Sequence, residues 1–188
     1  MSKSLDELTK EEWNTLFPIT LEPHNPAWAG IFRAEKASIL EALGPDTVQS
    51  IEHFGSTSIP GIAAKNYIDM LIEILPEQLF DEQIIAGLRG LGYHYFRQAG
   101  TQSDYMVFVK GYMLDGPSEQ IYHIHMCTRG HAMWEQLKFR DYLREHPQRA
   151  QAYEALKWQL ALAYKHDRVG YRIAKTEFIQ ETMTMLSR

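Results

Sequence analysis

The spacing of apolar residues in the first half of the chain predicts alternating helices and strands. In three segments the apolar positions recur every three to four residues, which is the period of an amphipathic helix. Two shorter apolar runs between turn-forming residues are typical of strands. The predicted elements are helices over residues 4–17, 25–44 and 76–92, and strands over residues 48–54 and 67–75.

The second half of the chain predicts three further strands and then helices only. The strand-like pieces are YHYF (93–96), YMVFV (105–109) and IYHIHMC (121–127), with a loop at 110–119. From His131 onward the pattern is helical, with breaks near Pro147 and Asp167. The fold class is α+β, a small mixed β-sheet with helices on one face and a helical C-terminal third.

Composition favours one soluble cytoplasmic domain. A chain of 188 residues fits a single domain, with an N-terminal helix within residues 1–18 and a helical part over 131–188. The polar N-terminus and the lack of an apolar run of about 20 residues argue against secretion and against a membrane. A net charge of −5 argues against nucleic acid as the main partner. The oligomeric state is left open.

A glycine–serine turn is followed by one carboxylate inside an apolar run. In HFGSTSIPGIAAKNYIDMLIEI (53–74), Gly55 and Ser56 end a predicted strand, and the hydroxyl residues Thr57 and Ser58 come next. Such a turn can place backbone N–H groups around a phosphate, although turns use both residues widely. Asp69 lies within the next strand, and a buried carboxylate needs a cationic, arginine or metal partner.

Gly55-Ser56, twelve residues and then Asp69 resemble the signature of the nucleotidyltransferase superfamily. More closely, the chain resembles the GrpB family, a branch of that superfamily sometimes found fused to dephospho-CoA kinase. The matching stretches are PAWAGIFRAEKASILEALG, IEHFGSTSIPGIAAKNYIDMLIEI, YHIHMC, KFRDYLREHP and YRIAKTEFI. The resemblance implies a nucleotidyltransferase-like fold, a Gly–Ser turn that holds nucleotide phosphates, and an acidic residue that holds magnesium.

One position departs from the superfamily pattern. The usual second acid lies two residues after the first, and that position is Leu71. Glu73 points the same way as Asp69, but four residues along a strand is about 13 Å, too far to share an ion directly. The departure puts a two-metal mechanism in doubt.

Two histidines stand where the resemblance places a third acid. His123 and His125 lie two apart on a predicted strand and therefore share a face. With Asp69 they would form a two-histidine, one-carboxylate set suited to Fe, Mn or Zn. Alternatively, both are ordinary strand histidines that hydrogen-bond to their neighbours.

Three basic residues are candidate phosphate ligands. Lys65 precedes Asp69 in a loop, Arg140 lies one turn before Arg144, and Lys175 lies on an apolar helical stripe with Tyr171 and Phe178. The alternatives are an ordinary surface lysine for Lys65, a solvated helix face for Arg140 and Arg144, and a snorkelling side chain for Lys175.

These observations predict metal-dependent transfer of a nucleotidyl or phosphoryl group from a nucleoside triphosphate to a small acceptor. Asp69 and Lys65 are the expected catalytic residues. The expected cofactor is a divalent metal, Mg or Mn, or Zn or Fe if the histidines bind it. Two alternatives stay open: a noncatalytic nucleotide-binding or adaptor domain, and a hydrolase that uses an Asp/His metal site.

Overall fold

A five-stranded mixed sheet forms the centre of the molecule in the computed structural model, which describes residues 3–96 and 104–186. The strand order is β1-β2-β5-β4-β3, in which β2 and β5 are parallel and the other neighbours are antiparallel. The strands are β1 (Ser50–Phe54), β2 (Tyr67–Glu73), β3 (His94–Phe96), β4 (Tyr105–Met113) and β5 (Gly116–Cys127).

Helices precede, interrupt and follow the sheet in the order that the sequence predicts. Within the described residues they are α1 (Lys10–Leu16), α2 (Trp28–Leu43), α3 (Glu82–Gly90), α4 (Glu135–Glu145), α5 (Pro147–Ala163), α6 (Arg168–Ile173) and α7 (Thr176–Met185). The α+β fold class is therefore confirmed. The assignment of all 188 residues to one domain stays a prediction.

The two faces of β2 pack against different parts of the chain. Ile68, Met70 and Ile72 are fully buried in the main core, where they meet residues of α2 and α3. Leu71 points to the opposite face and packs with Phe54 of β1 and residues near α4. Because strand side chains alternate, Asp69 lies on this second face, towards the helical C-terminal third.

The predicted loop at 110–119 is wrong, since most of it is strand. β4 continues to Met113, and β5 already begins at Gly116. A shift in strand register falls between Lys110 and Tyr112, and Gly111 there has φ of 95°. A Cβ atom at Gly111 would lie 2.3 Å from the carbonyl oxygen of Gln120, so only glycine lets the hairpin continue through this bulge.

Three helix boundaries also differ from the sequence prediction. The helix predicted over 76–92 begins only at Glu82, after a separate 3-10 turn at Pro76–Gln78, because Asp81 caps it. The N-terminal helix begins at Lys10 after a separate short turn, because Thr9 and Glu12 form a capping box. The final helical stretch breaks between α6 and α7, at residues 174 and 175, in addition to the expected breaks. Within the described part of the chain, no helix is long and apolar enough to cross a membrane.

Candidate functional site

A cavity of about 600 Å³ lies between the second face of the sheet and helices α4 to α7. Its floor comes from β1, β2, β4 and β5, and its walls come from the helices and from the segment between β1 and β2. Most of the predicted site residues line it: Gly55, Ser56, Thr57, Lys65, Asp69, His125, Arg140 and Lys175. Residues 120 positions apart in the chain are thus brought to one site.

Asp69 is half-buried at the floor of the cavity and has a hydrogen-bond partner. Its neighbour across the parallel pair β2–β5 is His123, whose Nδ1 lies 3.2 Å from Asp69 Oδ1. Burial opposes ionisation of this carboxyl. The hydrogen bond from His123 and the charge of Lys65 outweigh that effect, so the pKa of Asp69 lies below its usual value. The cavity therefore contains a carboxylate anion.

Gly55 is required by the position of Asp69. Its φ of 70° and ψ of −178° lie in a region that only glycine occupies readily. A Cβ atom there would lie 2.2 Å from Asp69 Oδ2. The carboxylate of Asp69 therefore occupies the space that a side chain at position 55 would need.

Gly55→Ala is expected to destabilise the protein by about 2–4 kcal/mol, because backbone strain and a steric clash with Asp69 add together. Gly61→Ala is the matched control. Gly61 has φ of 79°, but a Cβ atom added there would meet no heavy atom within 4 Å, so this variant incurs the backbone strain alone. Urea denaturation of both variants measures the difference. Equal destabilisation would show that the close approach of Asp69 contributes nothing.

Two of the three hydroxyl groups in the turn after Gly55 form hydrogen bonds with backbone carbonyl groups. Residues Ser56–Ser58 form one 3-10 turn. Thr57 Oγ1 donates to the carbonyl oxygen of Tyr67 at 2.7 Å, and Ser58 Oγ donates to that of Gly55 at 2.6 Å. Thr57 and Ser58 therefore hold the turn in shape, and Ser58 is not among the residues that line the cavity. Ser56 and Tyr153 both line it.

Three lysine side chains line the cavity. Lys65 Nζ lies 4.3 Å from the ring centroid of Tyr67, and Lys175 Nζ lies 4.4 Å from that of Tyr171. Burial and the charges of Arg168 and Lys175 lower the pKa of Lys65 to about 7. Burial also lowers the pKa of Lys175 to about 8. Within the described residues, neither amine forms an ion pair.

The third lysine, Lys157, was missed by sequence reasoning. Its side chain is only 1% exposed, and it donates to the carbonyl oxygen of Ala63. Burial lowers its pKa to about 7, and the charge of Lys175 acts in the same direction. Its burial could have been inferred from the sequence, because Lys157 lies one helical turn after Tyr153 and one turn before Ala161, on the buried stripe of α5.

Arg140 lines the cavity, but its guanidinium forms hydrogen bonds with other residues of the protein. Its Nε and one terminal nitrogen donate to the carboxylate of Asp141, and the other terminal nitrogen donates to Glu52 and to the carbonyl oxygen of His53. Arg144 donates twice to the carbonyl oxygen of Ser58. Arg140 and Arg144, one helical turn apart, therefore link α4 to β1 and to the Gly–Ser turn.

The two histidines have different surroundings. His123 lies beside Asp69, and its Nε2 is 2.8 Å from the hydroxyl oxygen of Tyr112, so both ring nitrogens have partners. His125 pairs in register with Leu71 and lines the cavity between Phe54 and Tyr105. Burial lowers the pKa of His125 to about 4, so its ring is neutral, and its Nδ1 has no hydrogen-bond partner within the described residues.

The predicted metal set of Asp69, His123 and His125 is not assembled. Across the described segments, no group of three or more His, Cys, Asp or Glu side chains is placed to hold a metal ion. Leu71, at the usual second-acid position, is fully buried among apolar residues. One carboxylate among several cations does not fit an ion held by the protein alone. The donor set instead suits an anionic ligand.

The chain belongs to the GrpB family, since the family's sequence profile, described as GrpB protein, matches residues 18–185. A relative, UPF0157 protein PA4798 of Pseudomonas aeruginosa, is 39% identical over 162 residues, which cover 86% of this chain and 64% of that protein. YqkA of Bacillus subtilis is 37% identical over 161 residues, which cover 84% and 44%. The chain thus spans less than two thirds of the length of these two relatives.

Two proteins named GrpB match over more of their own length. Glutamate-rich protein GrpB of Alkalihalophilus pseudofirmus is 33% identical over 167 residues, which cover 88% of this chain and 94% of that protein. The crystal structure of conserved protein GrpB from Enterococcus faecalis superposes with a TM-score of 0.73 at 28% identity. That match covers 90% of this chain and all of that one. The predicted family and fold are therefore confirmed, and neither name states a reaction.

Proposed function

We propose that the cavity binds the phosphate groups of a nucleoside triphosphate and that the protein transfers a nucleotidyl or phosphoryl group from it to a small acceptor. The observation that carries this proposal is the pair of lysines, Lys65 and Lys175, that face the cavity without an ion pair within the described residues. Half-buried cations without anionic partners are unfavourable, and a bound polyphosphate would supply the missing charge.

The charge balance of the cavity supports a polyanionic ligand. Among the described residues that line it, the cationic side chains are Lys65, Arg140, Lys157, Arg172 and Lys175, and the carboxylates are those of Asp69 and Glu135. Arg140 is neutralised by Asp141 and Glu52, which leaves an excess of positive charge around Asp69. Aromatic and apolar side chains, including Phe54 and Phe139, line other parts of the cavity and could contact a base or an acceptor.

In the proposed reaction the protein mainly positions groups and offsets charge, as is usual in phosphoryl transfer. Lys65 and Lys175 would contact phosphate oxygens and stabilise the charge that develops on the leaving group. Asp69, an anion near the Gly55–Ser56 turn, would accept a hydrogen bond from the acceptor hydroxyl and orient it for attack. Dependence on a divalent metal, and a cytoplasmic location, stay predictions from the sequence.

A specific observation favours noncatalytic nucleotide binding as a second candidate. Leu71 occupies the position of the superfamily's second acid, and it is fully buried, so Asp69 is the only carboxylate that the structure places on β2 at the cavity. A protein with this arrangement could retain the phosphate site and lack transfer activity. Product formation, measured separately from binding, distinguishes the two candidates.

ATP is expected to raise the melting temperature of the protein by several degrees at near-millimolar concentration, because binding to the folded state alone stabilises it. The measurement is a thermal shift series with ATP, inorganic triphosphate and adenosine, each with and without Mg²⁺ or Mn²⁺. Triphosphate should reproduce much of the shift, and adenosine should not. A shift with adenosine that equals the shift with ATP would contradict phosphate recognition.

A further inference from the structure

A series of polar contacts runs from Arg168 of α6 to the carboxylate of Asp69. Arg168 donates from one terminal nitrogen to the hydroxyl oxygen of Tyr112 at 2.9 Å. The Tyr112 hydroxyl lies 2.8 Å from His123 Nε2, and His123 Nδ1 lies 3.2 Å from Asp69 Oδ1. These four side chains come from α6, β4, β5 and β2, and of the four only Asp69 lines the cavity.

With a neutral imidazole on His123, donors and acceptors along this series of contacts can be assigned in only one direction. Arg168 is always a donor, so the oxygen of Tyr112 accepts from it and its own O–H is free to donate to His123 Nε2. A carboxylate only accepts, so His123 Nδ1 must carry the proton. Burial lowers the pKa of His123 and raises that of Tyr112, which keeps the imidazole neutral and the phenol protonated, as this assignment requires.

The surroundings hold the His123 ring in place. It lies 5.0 Å from the ring centroid of Tyr67 and is stacked on Tyr112 at 5.6 Å. Arg168 is itself anchored, since its other terminal nitrogen donates to the hydroxyl of Tyr67 and to the carbonyl oxygen of Phe17. Aromatic packing and the polar contacts of both ring nitrogens therefore restrain the orientation of the His123 ring.

We propose that His123 is a positioning residue, held by Tyr112 and Arg168, which keeps the carboxylate of Asp69 aimed at the Gly55–Ser56 turn. With Oδ1 engaged by His123, Oδ2 is the oxygen that approaches Gly55. This role replaces the metal-ligand role that the sequence predicts for His123. It rests on the proposed function only in that Asp69 acts on a ligand in the cavity.

The first test uses the ligand-free protein. Nitrogen-15 NMR of histidine-labelled protein at neutral pH should show a proton on Nδ1 of His123 and none on Nε2. In Tyr112→Phe, His123 Nε2 loses its hydrogen-bond donor, so the spectrum should change from the Nδ1-protonated tautomer alone to a mixture of the two neutral tautomers. Tyr122→Phe is the control, because Tyr122 adjoins His123 on β5 but packs on the opposite face of the sheet. A proton on Nε2 in the wild type would overturn the proposal.

The second test measures coupling between His123 and Asp69. Affinity for ATP is determined by calorimetry for His123→Ala, Asp69→Asn and the double variant. If His123 acts through Asp69, both single variants change the affinity in the same direction, and the double variant matches Asp69→Asn within about twofold. His123→Asn, which retains an N–H donor near the position of Nδ1, should restore wild-type affinity. Effects that multiply in the double variant would overturn the proposal.

Failure of this proposal and failure of the proposed function give different results. If ATP does not bind the wild type, the proposed function fails, while the protonation of His123 in the free protein still tests the positioning role. If ATP binds but the nitrogen assignment is reversed, the positioning role fails and the phosphate site stands.

Discussion

Replacing Lys65 by methionine is expected to weaken ATP binding by about ten- to a hundredfold while stabilising the ligand-free protein by on the order of 1 kcal/mol. Lys65 lies in the cavity near Arg168 and Lys175 without an ion pair in the described residues. Methionine has a similar length and no charge, so it removes both the contact with phosphate and the unfavourable half-buried cation.

Lys110→Met provides the matched control for this prediction. Lys110 is also half-buried among aromatic rings, but it forms an ion pair with Glu35, which is 8% exposed. Its replacement leaves the buried carboxylate of Glu35 without its cation, with the hydroxyl of Tyr93 still donating to it, and should destabilise the protein by about 1–3 kcal/mol, with ATP affinity unchanged. Urea denaturation and calorimetry measure both quantities. A loss of stability in Lys65→Met with unchanged ATP affinity would make Lys65 a structural residue.

Stability of the ligand-free protein is expected to rise as the pH increases from 7 to 10. The folded protein has pKa values of about 7 for Lys65 and Lys157 and about 8 for Lys175, against 10.5 in the unfolded chain. In this pH range the unfolded chain binds more protons, so the free energy of unfolding increases with pH. Each lysine contributes a slope of at most about 1.4 kcal/mol per pH unit, and less where water reaches the amine.

Binding of ATP is expected to return protons to these lysines. Phosphate oxygens stabilise the protonated amines and raise their pKa, so binding near pH 8 should take up about one proton or more, and affinity should fall as the pH rises from 7 to 9. Calorimetry at pH 8 in two buffers with different ionisation enthalpies measures the uptake. The uptake should be smaller in Lys65→Met. Proton release, or no exchange of protons, would contradict phosphate binding beside these lysines.

Local sequence patterns predicted the parts of the site that depend on neighbours in the chain. The alternation of side chains along β2 placed Asp69 on the face opposite Ile68 and Met70, and the Gly55–Ser56 turn lies beside it at the cavity. The order of helices and strands followed from apolar periodicity. Each of these features is decided by residues within a few positions of one another.

The remaining features depend on contacts between distant segments. His123 and His125 share a face, but the neighbouring strand places Asp69 beside the first and Leu71 beside the second, which alternation alone cannot show. Arg140 looked like a free cation until the fold brought Glu52 and the carbonyl of His53 to it. The sequence analysis does not single out Lys157, whose burial depends on the distant carbonyl oxygen of Ala63.

The most direct measurement is a crystal structure of the protein with a non-hydrolysable ATP analogue. The proposal predicts electron density for the phosphates in the cavity, within hydrogen-bonding distance of Lys65 and Lys175 and beside Ser56. Asp69 should remain hydrogen-bonded to His123. Density for the analogue at another surface, or an empty cavity at a concentration that gives a thermal shift, would contradict the account.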